Sequence, residues 1–158
     1  MSIETVRLFL REKGFEDRIR EFGVSSATVN LAAQAVGCEP ARIAKTLSFL
    51  VDGRCVLIVA AGDAKIDNSK YKAQFHTKAK MLTPDQVLEF TGHAVGGVCP
   101  FALEHPERVT TYLDVSLRRF GAVYPAAGSS NSAIRLTCDE LSEYAHSVGW
   151  IDVCKNWN

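Results

Sequence analysis

The spacing of apolar positions along this chain changes several times, and each change marks an element. Ile3, Val6, Leu8, Phe9 and Leu10 recur at near-helical spacing. With Ser2 as a cap and Gly14 as a stop, they predict a helix over 3–13. "RIREF" (18–22) alternates and predicts a short strand. "SSATVNLAAQAVG" offers Ser26 or Thr28 as a helix cap, an alanine-rich body and Gly37 as a stop. "RIAKTLSFLV" (42–51) then alternates with the period of a strand, and Asp52-Gly53 supplies a hairpin turn. "RCVLIVAAG" (54–62) is apolar on both faces, as a central strand must be.

Further on, Asp67 or Asn68 caps a helix over 67–76, and "KAKML" (78–82) reads as a short strand. "TPDQVLEFTG" carries Thr83 and Gln86 of a capping box, Pro84 at the first helical position and Gly92 as a stop. "GHAVGGVCPFALEHP" (92–106) is too rich in glycine and proline for regular structure. "RVTTYLD" (108–114), "AVYPAAG", "AIRLT" (133–137) and "WIDV" (150–153) predict strands, and "SLRRF" predicts a turn or short helix. Thr137 and Glu140 form a second capping box. Hairpins mixed with single helices predict one α+β domain over 1–158. Its curved, mixed, largely antiparallel sheet or barrel would be flanked by helices.

Composition narrows the function. Lysine plus arginine balances aspartate plus glutamate at 18 each. A neutral chain is not held on nucleic acid by a broad basic surface, and DNA is not an expected partner. No apolar run approaches the ~20 residues of a membrane span, and Glu4 and Glu12 argue against a signal peptide. The five cysteines are odd in number and lack C-x-x-C spacing, and the four histidines lack an H-x-x-x-H pair. No disulfide framework, metal or cofactor is expected, and reduced thiols fit a cytoplasmic location.

Several residues invite chemistry. Lys45 is the charged member of the row Ile43, Lys45, Leu47, Phe49 and Val51. It can snorkel to water, guard a strand edge, or face a pocket that needs a cation. In "AVGGVCPF", Gly96 and Gly97 either supply a tight turn or let backbone N–H groups reach a carbonyl or oxyanion. Cys99 has His93 and His105 six residues away on either side. It reads as a nucleophile pair or as a small packed hydrophobe. "AGSSN" (127–131) reads as turn chemistry or pocket lining. Residues 64–80 set Lys65, Lys70, Lys72, Lys78 and Lys80 against Asp67. They form a solvated face or a phosphate-contacting patch with Tyr71 and Phe75 as stacking groups.

"RIAKTLSFLV", "VLIVAAGDAKID", "GHAVGGVCPFAL", "TYLDVSL" and "AAGSSNSAIRLT" follow one another as in the YbaK/EbsC family, free-standing relatives of the editing domain inserted in bacterial prolyl-tRNA synthetases. The chain resembles that family from about Val6 to Val153, chiefly through the strand lysine, Lys45, and the G-x-x-x-P loop, Gly96 to Pro100. The resemblance implies metal-free hydrolysis of the ester between a wrong amino acid and the 3′ end of a tRNA. It implies catalytic roles for Lys45 and the Gly96, Gly97 and Val98 backbone. Cys99, Pro100, Phe101, His93, Asp63, Ser129 and Asn131 become substrate-binding candidates, and the five lysines become tRNA contacts. Cys99 stands where several relatives have serine or threonine. The implied function is a trans-editing deacylase for a small amino acid such as alanine or cysteine, with tRNA-Pro the first to try. Its partners would be the acceptor end of an aminoacyl-tRNA and a synthetase. The alternative is a non-catalytic module of the same fold that binds an amino acid, a nucleotide or a synthetase.

Overall fold

The computed structural model describes residues 2–157. Its helices are α1 (Ser2–Glu12), α2 (Val29–Val36), α3 (Asn68–Phe75), α4 (Pro84–Thr91) and α5 (Cys138–Tyr144). Its strands are β1 (Ile19–Glu21), β2 (Ile43–Val51), β3 (Arg54–Ala61), β4 (Lys65–Ile66), β5 (Val109–Asp114), β6 (Tyr124–Pro125), β7 (Ser132–Ile134), β8 (Trp150–Ile151) and β9 (Cys154–Lys155). Among the described residues no helix is long and apolar enough to cross a membrane.

Local chemistry explains where these elements begin and end. Thr28, Asp67, Thr83 and Thr137 each accept a backbone N–H of the first helical turn, and the last two complete capping boxes. The β2–β3 turn places Asp52 and Gly53 at φ 50° and 76°, the left-handed pair that a two-residue hairpin requires.

The main sheet has the order β6-β2-β3-β5-β8. It is mixed, as expected, but not largely antiparallel, since three of its four strand pairings are parallel. The hairpin β2/β3 is antiparallel, whereas β2/β6, β3/β5 and β5/β8 are parallel. Parallel neighbours need a crossover. The stretch between β3 and β5 carries α3, α4 and the 92–106 loop, and so delivers that loop to the sheet. Two small antiparallel pairs, β1/β7 and β4/β9, flank it. The expected strand over 78–82 is not formed. Met81 alone makes an isolated bridge, to Phe49.

β3 is buried from Cys55 to Ala61, which its central position demands. One cluster beside it joins Tyr71, Phe101, Leu113, Leu117 and Leu141. A second joins Cys55, Leu57, Leu82, Val87 and Phe90 beneath α4, and a third joins Ala32, Ala33 and Ile43 beneath α2. Each such leucine or phenylalanine contributes roughly 1.5–3 kcal/mol on burial. The cavity described next is lined by residues of both smaller clusters.

Candidate functional site

The outer edge of β2 is covered at both ends and bare in the middle. β6 pairs with Ile43 and Ala44. At the other end Leu50 N donates to Lys80 O at 2.8 Å, and Leu82 N donates to Ser48 O at 3.2 Å. In an antiparallel pair, the backbone groups of alternate residues point toward the partner strand. Ser48 and Leu50 point away from β3, so Thr46 does too, and no strand meets it. A cavity of about 370 Å³ opens at this gap. Ala44, Thr46 and Ser48 contribute to its floor, Tyr124 and Ala126 to one wall, and Leu82 and Val87 to another. Thr28 and Val29 bring the first turn of α2 to it, while Met81 and Val95 line it and are also largely exposed to solvent.

The 92–106 loop supplies a further wall through Gly96 and Val98. Gly96 sits at φ 99°, a conformation that disfavours any side chain. Gly97 is fixed by contact, since a Cβ there would lie 2.7 Å from the Ser129 backbone. Its N–H donates to Ala94 O at 3.0 Å, and Gly97 does not line the cavity. Its amide thus closes a turn, one of the two alternatives for these glycines. The N–H groups of Gly96 and Val98 make no hydrogen bond among the described residues.

Lys45 shares the cavity with that loop. Its ammonium donates to Gly62 O at 3.4 Å and, by a short contact, to Ala64 O. Two of its three N–H groups are thereby directed, and one remains. Burial pulls its pKa below the usual lysine value, opposed by the negative charges of Asp63 and Asp114. Most of the strand floor comes from the other row, Ala44, Thr46 and Ser48.

Other expected residues lie elsewhere. Cys99, Pro100, Phe101 and His93 are buried and do not line the cavity. The Cys99 thiol lies 3.5 Å from His93 Nε2, which is 2.7 Å from Phe101 O. Burial pushes the Cys99 thiol up to about 12 and pulls His93 down, so neither is poised as a thiolate–imidazolium pair. Ser129 and Asn131 are engaged in the fold. Ser129 Oγ donates to Ser132 Oγ at 2.7 Å, and Asn131 Nδ2 donates to Phe22 O at 3.0 Å. Asp63 is paired with Arg119 at 2.6 and 3.0 Å, which holds its carboxyl below the usual range. Of the lysines, Lys65, Lys72, Lys78 and Lys80 are exposed. Lys70 instead binds Asp152 and Cys154 O, both at 3.0 Å. Tyr71 is fully buried in the row Phe49–Tyr71–Phe75–Tyr112 and is not available to stack on a base.

Sequence reasoning missed Thr46, Ser48 and Tyr124 as cavity residues. One signal was available: three small side chains, Ala44, Thr46 and Ser48, succeed one another on one face of a buried strand. A row of that kind leaves room beside it. Among the described residues no group of three or more His, Cys, Asp or Glu is placed to hold a metal.

The fold falls within one class. Residues 24–144 match the aminoacyl-tRNA editing domain, and the chain belongs to that family. YwhH, an uncharacterised protein of Bacillus subtilis strain 168, is 56% identical over 158 residues, 99% of either chain. A proline–tRNA ligase of Bacillus licheniformis is 25% identical over 130 residues, which is 82% of this chain and 22% of the ligase. A solved structure of a candidate trans-editing enzyme for prolyl-tRNA synthetase is 30% identical. It superposes with a TM-score of 0.86 over 98% of this chain and 97% of its own.

Proposed function

We propose that this protein is a trans-editing aminoacyl-tRNA deacylase, a single editing domain acting in the cytoplasm on tRNA mischarged with a small amino acid. Alanine and cysteine on tRNA-Pro are the first substrates to test. The observation that carries this reading is one cavity lined by Lys45 together with Gly96 and Val98 of the loop.

Ester hydrolysis suits these parts. An attacking water forms a bond to the ester carbonyl carbon, and the carbonyl oxygen takes up negative charge. That charge is met by N–H donors and by the remaining N–H of the Lys45 ammonium. The carbon–oxygen bond to the ribose then breaks, and the water's proton ends on the released hydroxyl. Lys45 and Tyr124 are the titratable residues among those lining the cavity, and neither is a carboxylate or imidazole base. The proton is therefore relayed by substrate groups, and the protein contributes position and field. A bound cysteinyl thiol can serve as the attacking atom in the same frame.

The missing base favours the second reading, a binding module without turnover. Single-turnover hydrolysis of a panel of aminoacyl-tRNAs separates the two. In the deacylase, Lys45→Ala lowers the rate by about two to three orders of magnitude while the fold persists. Binding without hydrolysis across the whole panel, or an unchanged rate in Lys45→Ala, overturns the assignment.

A further inference from the structure

Two carboxylates put their fields on Lys45, those of Asp63 and Asp114, and neither is ion-paired with its ammonium among the described residues. They are restrained in different ways. Asp114 is fully buried, and its two oxygens accept the N–H groups of Ser116 and Val153, both at 3.0 Å. Asp63 belongs to the turn 61–64, which Ala64 N closes by donating to Ala61 O at 3.0 Å. It stands between Gly62 and Ala64, the two residues whose carbonyls accept from the Lys45 ammonium. Its side chain is only partly buried, and the partner that holds its carboxylate is Arg119.

Arg119 is braced to keep that carboxylate. Its Nη1 and Nη2 bind both Asp63 oxygens, the bidentate geometry in which an exposed ion pair still counts. Its Nε donates to Ser116 O at 2.9 Å, and Nη1 donates also to Trp157 O at 2.5 Å. The guanidinium lies against the Phe120 and Trp157 rings, 4.8 and 5.1 Å from their centroids. A fork fixed in this way loses little further freedom when it takes the carboxylate. Without it, Asp63 would be drawn to the ammonium that the carbonyls on either side of it already hold. An ion pair there would consume the third N–H of Lys45, the one left for substrate. We propose that Arg119 is a positioning residue: it draws the Asp63 carboxylate away from Lys45 and so leaves the cation a free N–H. The consequence for hydrolysis rests on the deacylase reading, whereas the placement of the carboxylate does not.

Two readouts on four proteins test this: single-turnover deacylation, and acetic anhydride labelling of Lys45 followed by mass spectrometry. The proteins are the parent, Arg119→Met, Asp63→Asn and the double variant. An ion pair to Asp63 raises the Lys45 pKa, and each unit slows labelling about tenfold at a fixed lower pH. Arg119→Met should therefore label Lys45, and hydrolyse substrate, about tenfold more slowly than the parent. Asp63→Asn should stay within about threefold of the parent, and the double variant should match it in both readouts. That recovery marks a withheld carboxylate, because lost packing would not be cancelled by a second substitution. Arg119→Gln carries the same expectations and serves where Arg119→Met does not fold. Unchanged Lys45 labelling without the arginine, a slow Asp63→Asn, or a double variant as slow as the arginine variant overturns the proposal. A parent that hydrolyses no aminoacyl-tRNA sinks the deacylase reading instead, and labelling alone then decides the role of Arg119.

Discussion

At Cys99 the surroundings decide the chemistry. The thiol is fully buried beside a neutral His93, and its pKa of about 12 leaves it protonated at neutral pH. Cys99→Ser should therefore keep deacylation within about threefold of the parent, and iodoacetamide should leave the folded protein active. A large loss in either measurement would return Cys99 to the reaction. Lys45 makes the opposite case. Its ammonium gives up a proton at lower pH in the folded chain than in the unfolded one. Between those two values the unfolded chain binds more protons, so stability rises with pH across that alkaline window. Activity should fall across the same window, because the cation is lost. Comparing pH profiles of hydrolysis and of urea unfolding with those of Lys45→Met isolates both trends.

Among the elements, the 92–106 loop depends on one close approach. An alanine at Gly97 would set its Cβ 2.7 Å from the Ser129 backbone, and one of the two segments would have to move. Gly97→Ala should cost about 1–3 kcal/mol in urea unfolding and slow deacylation by displacing Gly96 and Val98. Unchanged stability and rate would show that the loop tolerates the shift. Elements with their own local signature were readable in the sequence: four capped helices, the Asp52-Gly53 hairpin and the glycine-rich loop. Elements defined by distant partners were not. β4 and β9 are two residues each and exist through each other. The 78–82 segment carries strand-like residues, yet it meets β2 only at its end. The site was half readable for a similar reason. A charge stands out on a strand face, so Lys45 is legible in the sequence. Thr46 and Ser48 became visible once β6 and Leu82 showed which part of the β2 edge is bare.

For the molecule as a whole, charge is distributed rather than massed. The net charge is zero, yet Lys78 and Lys80 are exposed and lead directly into Met81 and Leu82 at the cavity. If these lysines hold the single-stranded acceptor end, replacing both by alanine should weaken binding equally for every aminoacyl group. It should also flatten the dependence of log affinity on log salt by roughly 0.7 per lost contact. An unaltered slope would move the tRNA to another face. The anchorage of Lys45 has a different character. Its neighbours are the main-chain oxygens of Gly62 and Ala64, which cannot be protonated near neutrality and cannot be substituted away. What they depend on is the path of the chain, and Gly62 pins it, because a side-chain carbon there would meet Pro40 O at 2.0 Å. The seat of the cation is thus set by the trace of the backbone, and replacing a neighbouring side chain leaves both acceptors in place so long as that glycine stays.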